Sequence, residues 1–305
     1  MRDLPSRVRD ALPRPLRNLI GGTLRYTQRL GRWLMILWQV RGASWRDEIK
    51  LVASAAAAPL TSLRNLSRWQ DPVLLFDARV RISGVGTFHV RRHSDDLWHV
   101  LPWRERYIHR ALRRLLGPDD IFVDAGANIG VYTLLASRLI GPRGRVLAIE
   151  MMPDTAAILR RHVAENGCGN VEIVEKALSD RAGEILTASV PLGRYGQASI
   201  ANSATGAFEE HQVQTATLDD VCREYGRIRL LKLDVEGAEL QAIAGAGSTL
   251  GRTDKVIYES HTSAGDLTQA FERGGFRLSQ ILGKDRLAER ANEANPSRPP
   301  TVTDR

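Results

Sequence analysis

Asp124-Ala-Gly-Ala-Asn-Ile-Gly130 is the stretch that decides how this chain folds. It follows an apolar run, Ile121-Phe-Val123, and leads into Val131 to Ile140, where the pattern turns helical. A strand that ends in an acid, turns through two glycines and opens a helix begins a nucleoside-binding βαβ unit. Gly126 and Gly130 let the backbone turn tightly and come close to a ligand. The next run, Arg145-Val-Leu-Ala-Ile149, ends in Glu150, 24 residues beyond Gly126. An acid at that place can accept both hydroxyls of a ribose.

The loop departs from the dinucleotide fingerprint. A pyrophosphate needs the bare N–H groups of G-x-G-x-x-G. Here the order is G-x-N-x-G, with Asn128 in the middle and Asp124 directly before the loop. A carboxylate there repels a diphosphate and suits a ligand with an ammonium group. S-adenosylmethionine carries an ammonium, a sulfonium and a ribose diol. Asp124 at its amino-acid end and Glu150 on its ribose fit that ligand.

Working outward, β-type runs and helical stretches keep alternating. Thr155 to Glu165 is helical and Val171-Glu-Ile-Val174 is a run. Arg229-Leu-Leu-Lys-Leu233 precedes helical Ala238 to Ala244, and Lys255-Val-Ile-Tyr258 precedes helical Leu267 to Arg273. Phe276 to Leu282 is a last strand. This predicts an α/β fold, a doubly wound and mostly parallel sheet with helices on both faces. Upstream, residues 73–91 read as short strands with turns at Ser83-Gly84 and Gly86, and Trp103 to Leu116 reads as a helix. Leu186 to Val213, rich in Gly, Ser, Ala and Asn, interrupts the alternation and is expected as a mobile loop or lid. The expected domains are an Arg-rich arm over 1–45, an extension of helices and a β-hairpin over 46–118, a cofactor-binding domain over 119–285 and a disordered tail over 286–305.

Charge is placed unevenly. Residues 1–45 hold nine Arg and two Asp, whereas the rest of the chain holds 34 basic and 33 acidic side chains. A basic arm on a neutral body suits a membrane surface or an acidic partner, and a neutral body disfavours a nucleic-acid groove. Within the arm, residues 1–22 carry Pro5, Pro13, Pro15 and Gly21-Gly22 and read as loosely attached. Residues 23–40 read as an amphipathic helix with Trp33, Leu37 and Trp38 beside Arg25, Arg29 and Arg32, a pattern suited to peripheral membrane contact or to packing on the chain's own domain. The apolar run Trp33 to Val40 is too short to span a bilayer and lacks a cleavage site of the right kind. Cys168 and Cys222 have no metal-type spacing, so a reducing, cytoplasmic setting is expected.

Two further clusters lie at expected strand ends. In Leu230-Leu-Lys-Leu-Asp-Val-Glu-Gly-Ala-Glu239, Asp234 and Glu236 stand where an acceptor would meet the methyl group. Glu236 and Glu239 are spaced to share a helical face, or Glu239 is simply a helix N-terminal acid. In Tyr258-Glu-Ser-His261, His261 can take a hydroxyl proton, so Asp234 or His261 is the expected base. Asp234, Glu236, Glu259 and His261 also offer ligands to a divalent ion, with Asp234 and Glu259 foremost, but a metal is not the preferred reading.

Together, Asp124-Ala-Gly-Ala-Asn-Ile-Gly-Val-Tyr-Thr133, Glu150, Thr217-Leu-Asp219 and Leu231-Lys-Leu-Asp-Val-Glu-Gly-Ala-Glu239 resemble the FkbM-type methyltransferases over roughly residues 100–282. The resemblance implies a class I, Rossmann-like sheet of seven strands and S-adenosylmethionine-dependent O-methylation of a hydroxyl on a sugar, glycan, glycolipid or secondary metabolite. It implies that Asp124, Gly126, Asn128, Gly130 and Glu150 line the cofactor site. It further implies that Asp180 lies near adenine, and that Asp234 and Glu236 face the acceptor. Tyr195-Gly-Gln-Ala-Ser199 resembles the family's small-residue loop. The rival readings are a nicotinamide-dependent oxidoreductase, against which the missing third glycine and Asp124 argue, and a membrane-docked scaffold that keeps the fold without catalysis.

Overall fold

The computed structural model describes residues 14–63, 72–200, 207–259, 264–291 and 301–302. The chain divides into two compact units, one of residues 1–83 and 87–101, the other of 84–86 and 102–305.

The first unit contains α1 (Arg14–Gln39), β1 (Val40–Gly42), α2 (Trp45–Leu63), β2 (Ala78–Ile82), β3 (Gly86–Val90) and α3 (Asp96–Val100). The three strands form one sheet in the order β1-β2-β3. Along β2, Ala78, Val80 and Ile82 are buried and the residues between them exposed, the two-residue period of a half-covered strand. Ser44 starts α2 by a reciprocal cap: Asp47 N–H donates to Ser44 Oγ at 3.3 Å, and Ser44 Oγ donates to Asp47 Oδ2 at 2.6 Å. The amphipathic helix is longer than expected. It begins at Arg14, with Pro15 in the first turn where a missing N–H costs nothing, and runs through Gly21 and Gly22, both buried. Residues 14–22 are therefore helix and not loose arm, while 1–13 lie outside the described residues.

The second unit holds α4 (Arg106–Leu115), β4 (Ile121–Ala125), α5 (Val131–Ile140), β5 (Arg145–Ile149), α6 (Pro153–Glu165), β6 (Val171–Val174), β7 (Ala177–Leu178), β8 (Ile185–Pro191) and β9 (Phe208–Ala216). After these come α7 (Leu218–Val221), β10 (Leu230–Leu233), α8 (Glu239–Ala244), α9 (Gly247–Gly251), β11 (Lys255–Glu259), α10 (Ala264–Arg273), β12 (Phe276–Leu282) and β13 (Asp285–Arg290). The main sheet has the order β12-β13-β11-β10-β4-β5-β6, with a two-residue strand β14 (Thr301–Val302) beside β12. Pairs β10–β11, β10–β4, β4–β5 and β5–β6 are parallel, and β13 is antiparallel to both β11 and β12. This is the seven-stranded, mostly parallel sheet that the alternation and the family resemblance lead one to expect. Its central strands are buried on both faces, which is why they read as unbroken apolar runs.

Two expectations are corrected here. The stretch Leu186 to Val213 is in large part not loop: β8 and β9 pair antiparallel from Ile185↔Gln214 to Pro191↔Phe208, and β9 also pairs with β7. The small-residue composition belongs to the connection between them, of which 201–206 lie outside the described residues. Ala188, Val190 and Val213 instead build a small core with Met152, Ala177 and Ala198. Likewise, the tail expected from residue 286 is in part a strand. Asp285–Arg290 fills the slot between β11 and β12, and its alternating Leu287 and Arg286 suit that place. Residues 292–300 and 303–305 lie outside the described residues.

Candidate functional site

The chain leaves β4 for β5 and β6 on one side, then returns to place β10 on the other side of β4. The crevice at such a switch point, beyond the carboxyl ends of the strands, is where open α/β sheets bind ligands. Two loops border it, one after β4 and one after β10.

The first loop is held from several directions. Gly126 N–H and Ala127 N–H both donate to Ile149 O, at 3.0 and 2.9 Å. Gly126, Asn128 and Gly130 have φ of 79°, 49° and 90°, left-handed values that glycine takes freely and asparagine better than most. A Cβ on Gly126 would stand 1.8 Å from the Asp234 carbonyl oxygen, so this glycine is what lets the two loops touch. Glu150 spans the loop from the neighbouring strand end. Its Oε2 accepts from Asn128 N–H and its Oε1 from Met152 N–H, both at 2.9 Å. These two backbone donors fix the orientation of the carboxylate at the strand end.

Asp124 is fully buried beneath the loop, where Thr133 Oγ donates to Oδ2 at 2.6 Å and Lys232 Nζ lies 3.8 Å from Oδ1. Strand register sets Lys232 directly beside Asp124. The cation next to this carboxylate is the chain's own. Burial pushes the Asp124 carboxyl up, against the pull of Lys232 and Thr133. Asp180 stands on an exposed turn after β7, where its Oδ1 accepts from Ser179 Oγ at 3.1 Å.

The second loop is also left-handed, at Glu236 (φ 50°) and Gly237 (φ 100°). Glu239 holds it: its Oε1 accepts from Val235 N–H at 3.1 Å and Gly237 N–H at 3.2 Å. Glu239 is thus the buried N-terminal acid of α8 and does not form a shared face with Glu236. Ser199, from the segment Tyr195 to Ser199, donates its hydroxyl to Glu236 O at 2.7 Å and so ties the β8–β9 hairpin to this loop.

Around Asp234 the acids outnumber the cations. Lys232 Nζ donates to Asp234 Oδ2 at 3.1 Å, and Lys284 Nζ lies 2.6 Å from Glu259 Oε1 and 3.6 Å from Glu105 Oε1. Tyr132 donates its hydroxyl to Glu105, Arg104 lies 3.4 Å from Glu105, and the Lys232 ammonium lies 5.4 Å from the centre of the Tyr132 ring. Asp285, opposite Glu259 in the β11–β13 register, is buried. Five carboxyls (Glu105, Asp234, Glu236, Glu259 and Asp285) thus share the charges of Lys232, Lys284 and Arg104. Burial works to raise the Asp234 carboxyl, but Lys232 and Lys284 hold it well below the usual range. Glu236 goes the other way, pushed up to about 8 by burial and then by Asp234 and Glu259. Burial, with Asp234 and Glu105 nearby, lifts Asp285 to about 8 as well. One oxygen each of Asp234, Glu236 and Glu259 lie within 4.8 Å of one another, the spacing of a cation cluster. His261 lies outside the described residues.

The residues that sequence reading missed are Glu105, Lys232, Lys284 and Asp285. Only Lys232 left a signal, a charge inside the apolar run Leu230-Leu-Lys-Leu233. Thr217-Leu-Asp219 proves to be scaffolding: Thr217 caps α7, and Asp219 accepts from Ser248 and Thr249 N–H at 3.0 and 2.6 Å to cap α9.

Three side-chain oxygens near the meeting of the two loops, Asp124 Oδ1, Asn128 Oδ1 and Asp234 Oδ1, are buried with no hydrogen-bond partner among the described residues. Buried acceptors of this kind call for donors. A diphosphate offers only acceptors, whereas an amino acid joined to adenosine offers ammonium, amine and hydroxyl donors. The residues present fit S-adenosylmethionine.

The comparisons with known proteins agree. The profile of the methyltransferase FkbM domain matches residues 124–278. The chain is 25% identical over 211 residues to the hexuronic acid methyltransferase AglP of Haloferax volcanii, covering 66% of this chain and 84% of that one. It is 30% identical over 160 residues to methyltransferase sdnD of Sordaria araneosa, covering 43% and 61%. It is 29% identical over 191 residues to the 2-O-methyltransferase NoeI of Sinorhizobium fredii, covering 57% and 75%.

Proposed function

Since the chain belongs to the FkbM methyltransferase family, we propose that it uses S-adenosylmethionine to methylate a hydroxyl of a sugar, a glycan or glycolipid, or a secondary metabolite. The observation that carries this reading is the set of partnerless acceptors on Asn128 and Asp234. Relatives named for a hexuronic acid and for a 2-O position support a sugar hydroxyl as acceptor.

When bound, S-adenosylmethionine supplies a methyl group made electrophilic by a sulfonium. The chain's own residues do the rest. Glu150 orients the ribose, and the first loop fixes the depth of the adenosine. Asp234, kept ionised by Lys232 and Lys284, directs its unpaired oxygen toward the positive end of the ligand and serves poorly as a base. Glu236 is the better base, because a carboxyl near 8 both takes a proton readily and remains partly ionised near neutrality. It removes the acceptor's hydroxyl proton as the new O–C bond forms, while the electrons of the old C–S bond stay on sulfur. The adjoining acids exclude anionic acceptor groups from the immediate vicinity and favour neutral hydroxyls.

The test is a labelled-methyl assay of the full chain against uronic-acid and neutral glycans, run beside calorimetry with S-adenosylhomocysteine and NADH. Transfer to a hydroxyl, with binding of S-adenosylhomocysteine alone, is the expected result. Binding of NADH alone would turn the reading to an oxidoreductase.

A further inference from the structure

We infer that the corner between α1 and α2 is a docking surface for a bilayer bearing anionic headgroups. This inference concerns the first unit alone and does not rest on the methyl-transfer reading.

α2 is apolar on both of its faces. Leu51, Ser54 and Ala58 are buried, as the inward side of a packed helix should be. On the outward side Trp45, Ile49, Val52, Ala56 and Leu60 are exposed, and their spacing of three and four residues aligns them in one stripe. The end of α1 continues the pattern at the corner: Leu34, Met35 and Trp38 are exposed there, and only Val40 to Ser44 separate the helices. Trp38 and Trp45 are 74% and 69% exposed, values that leave most of a large apolar indole facing water with no packing to explain it. Among the described residues no helix is long and apolar enough to cross a membrane, so a bilayer would be met from its surface.

Charge decides the occupant. Arg41, Arg46, Lys50 and Arg79 lie around this corner, with Arg46 5.3 Å from the centre of the Trp45 ring. Asp47 pairs with Lys50 and Arg79, Glu48 pairs with Arg41, and Lys50 donates to the carbonyl of Asp77, so four cations stand against three acids and a net positive charge remains. A second copy of the chain would bring an equally positive rim against this one. Anionic headgroups complement the rim while the interfacial region accepts the tryptophans and aliphatic side chains.

The experiment is cosedimentation of the full chain with phosphatidylcholine vesicles, with and without phosphatidylglycerol. The chain should sediment with the anionic vesicles, and its tryptophan emission should shift to the blue. Trp38→Glu with Ile49→Glu should reduce partitioning by about tenfold or more, with an unchanged melting temperature because both side chains are exposed. Arg41→Glu with Arg46→Glu should abolish the preference for phosphatidylglycerol. Absence of sedimentation with either vesicle, equal sedimentation of the apolar variant, or a dimer that this variant dissolves while vesicles leave it untouched would each overturn the proposal.

Discussion

The loops after β4 and β10 share a plan but use it differently. Each follows a strand that ends near a buried acid, each turns through left-handed backbone, and each is braced by a glutamate that accepts two backbone N–H groups. In the first loop the backbone N–H groups of Gly126, Ala127 and Asn128 are matched, Asn128 Oδ1 and Asp124 Oδ1 are not, and Asp124 lies under the turn beside Lys232. In the second, carboxyls exceed cations, and neighbouring acids are driven in opposite directions. On the proposed function, one loop supplies shape and the other supplies reactivity. The lesson is that similar motifs at adjacent strand ends can be told apart by whether their charges are already neutralised.

The division can be broken most forcefully at the contact between the loops. Gly126→Ala places a Cβ 1.8 Å from the Asp234 carbonyl at a φ of 79°. Urea unfolding should show a loss of at least about 3 kcal/mol, or no folded protein. Gly141→Ala, at a similar φ but with nothing within 4 Å, should lose only about 1 kcal/mol. Equal losses at the two sites would remove the idea that Gly126 joins the loops.

The next effect separates the two acids of the second loop. Glu236→Gln should lower turnover about 100-fold. The wild-type rate should rise with pH through about 8, the value to which burial lifts Glu236, and the variant should lack that rise. Asp234→Asn should instead impair cofactor binding and move the rise to lower pH without removing it, because the Asp234 charge is one of the causes that raise Glu236. If Glu236→Gln retained the profile, another group would be the base.

In the first loop, Glu150→Gln leaves one of two N–H donors facing an amide N–H, so calorimetry should show S-adenosylhomocysteine binding weakened by about 1–3 kcal/mol. The smallest expected effect is on stability. Asp285 holds its proton in the folded state up to about 8, whereas the unfolded carboxyl releases it near its ordinary value. Between those two values the folded state binds more protons, so stability falls as pH rises. Asp285→Asn should flatten the decline in melting temperature from pH 5 to 9, and an unaltered slope would contradict the raised pKa.

Legibility in the sequence followed the range of the interactions. β5, β6 and α5 have the boundaries their apolar patterns indicate, because burial on both faces leaves continuous runs and a covered helix leaves a 3.6-residue period. The β8–β9 hairpin was obscured because Gly and Ser in its connection outweighed the alternation of Ala188 and Val190. Glycines at 21 and 22 suggested a break where packing of α1 keeps the helix whole. In the site, the glycine loop and Glu150 were readable since they act within one βαβ unit. Lys284 and Asp285 were not, since only the return of β13 between β11 and β12 brings them to Asp234, and Glu105 was not, since it comes from the start of α4, far earlier in the chain. The approach of Lys232 to Asp124 was not legible either, since it comes from the register of adjacent strands.

The most direct test is a crystal structure of the full chain grown with S-adenosylhomocysteine. The account predicts ligand N–H or O–H donors within about 3 Å of Asn128 Oδ1 and Asp234 Oδ1, and both ribose hydroxyls on Glu150. A ligand bound away from the switch point, or those two oxygens left without ligand donors, would contradict it.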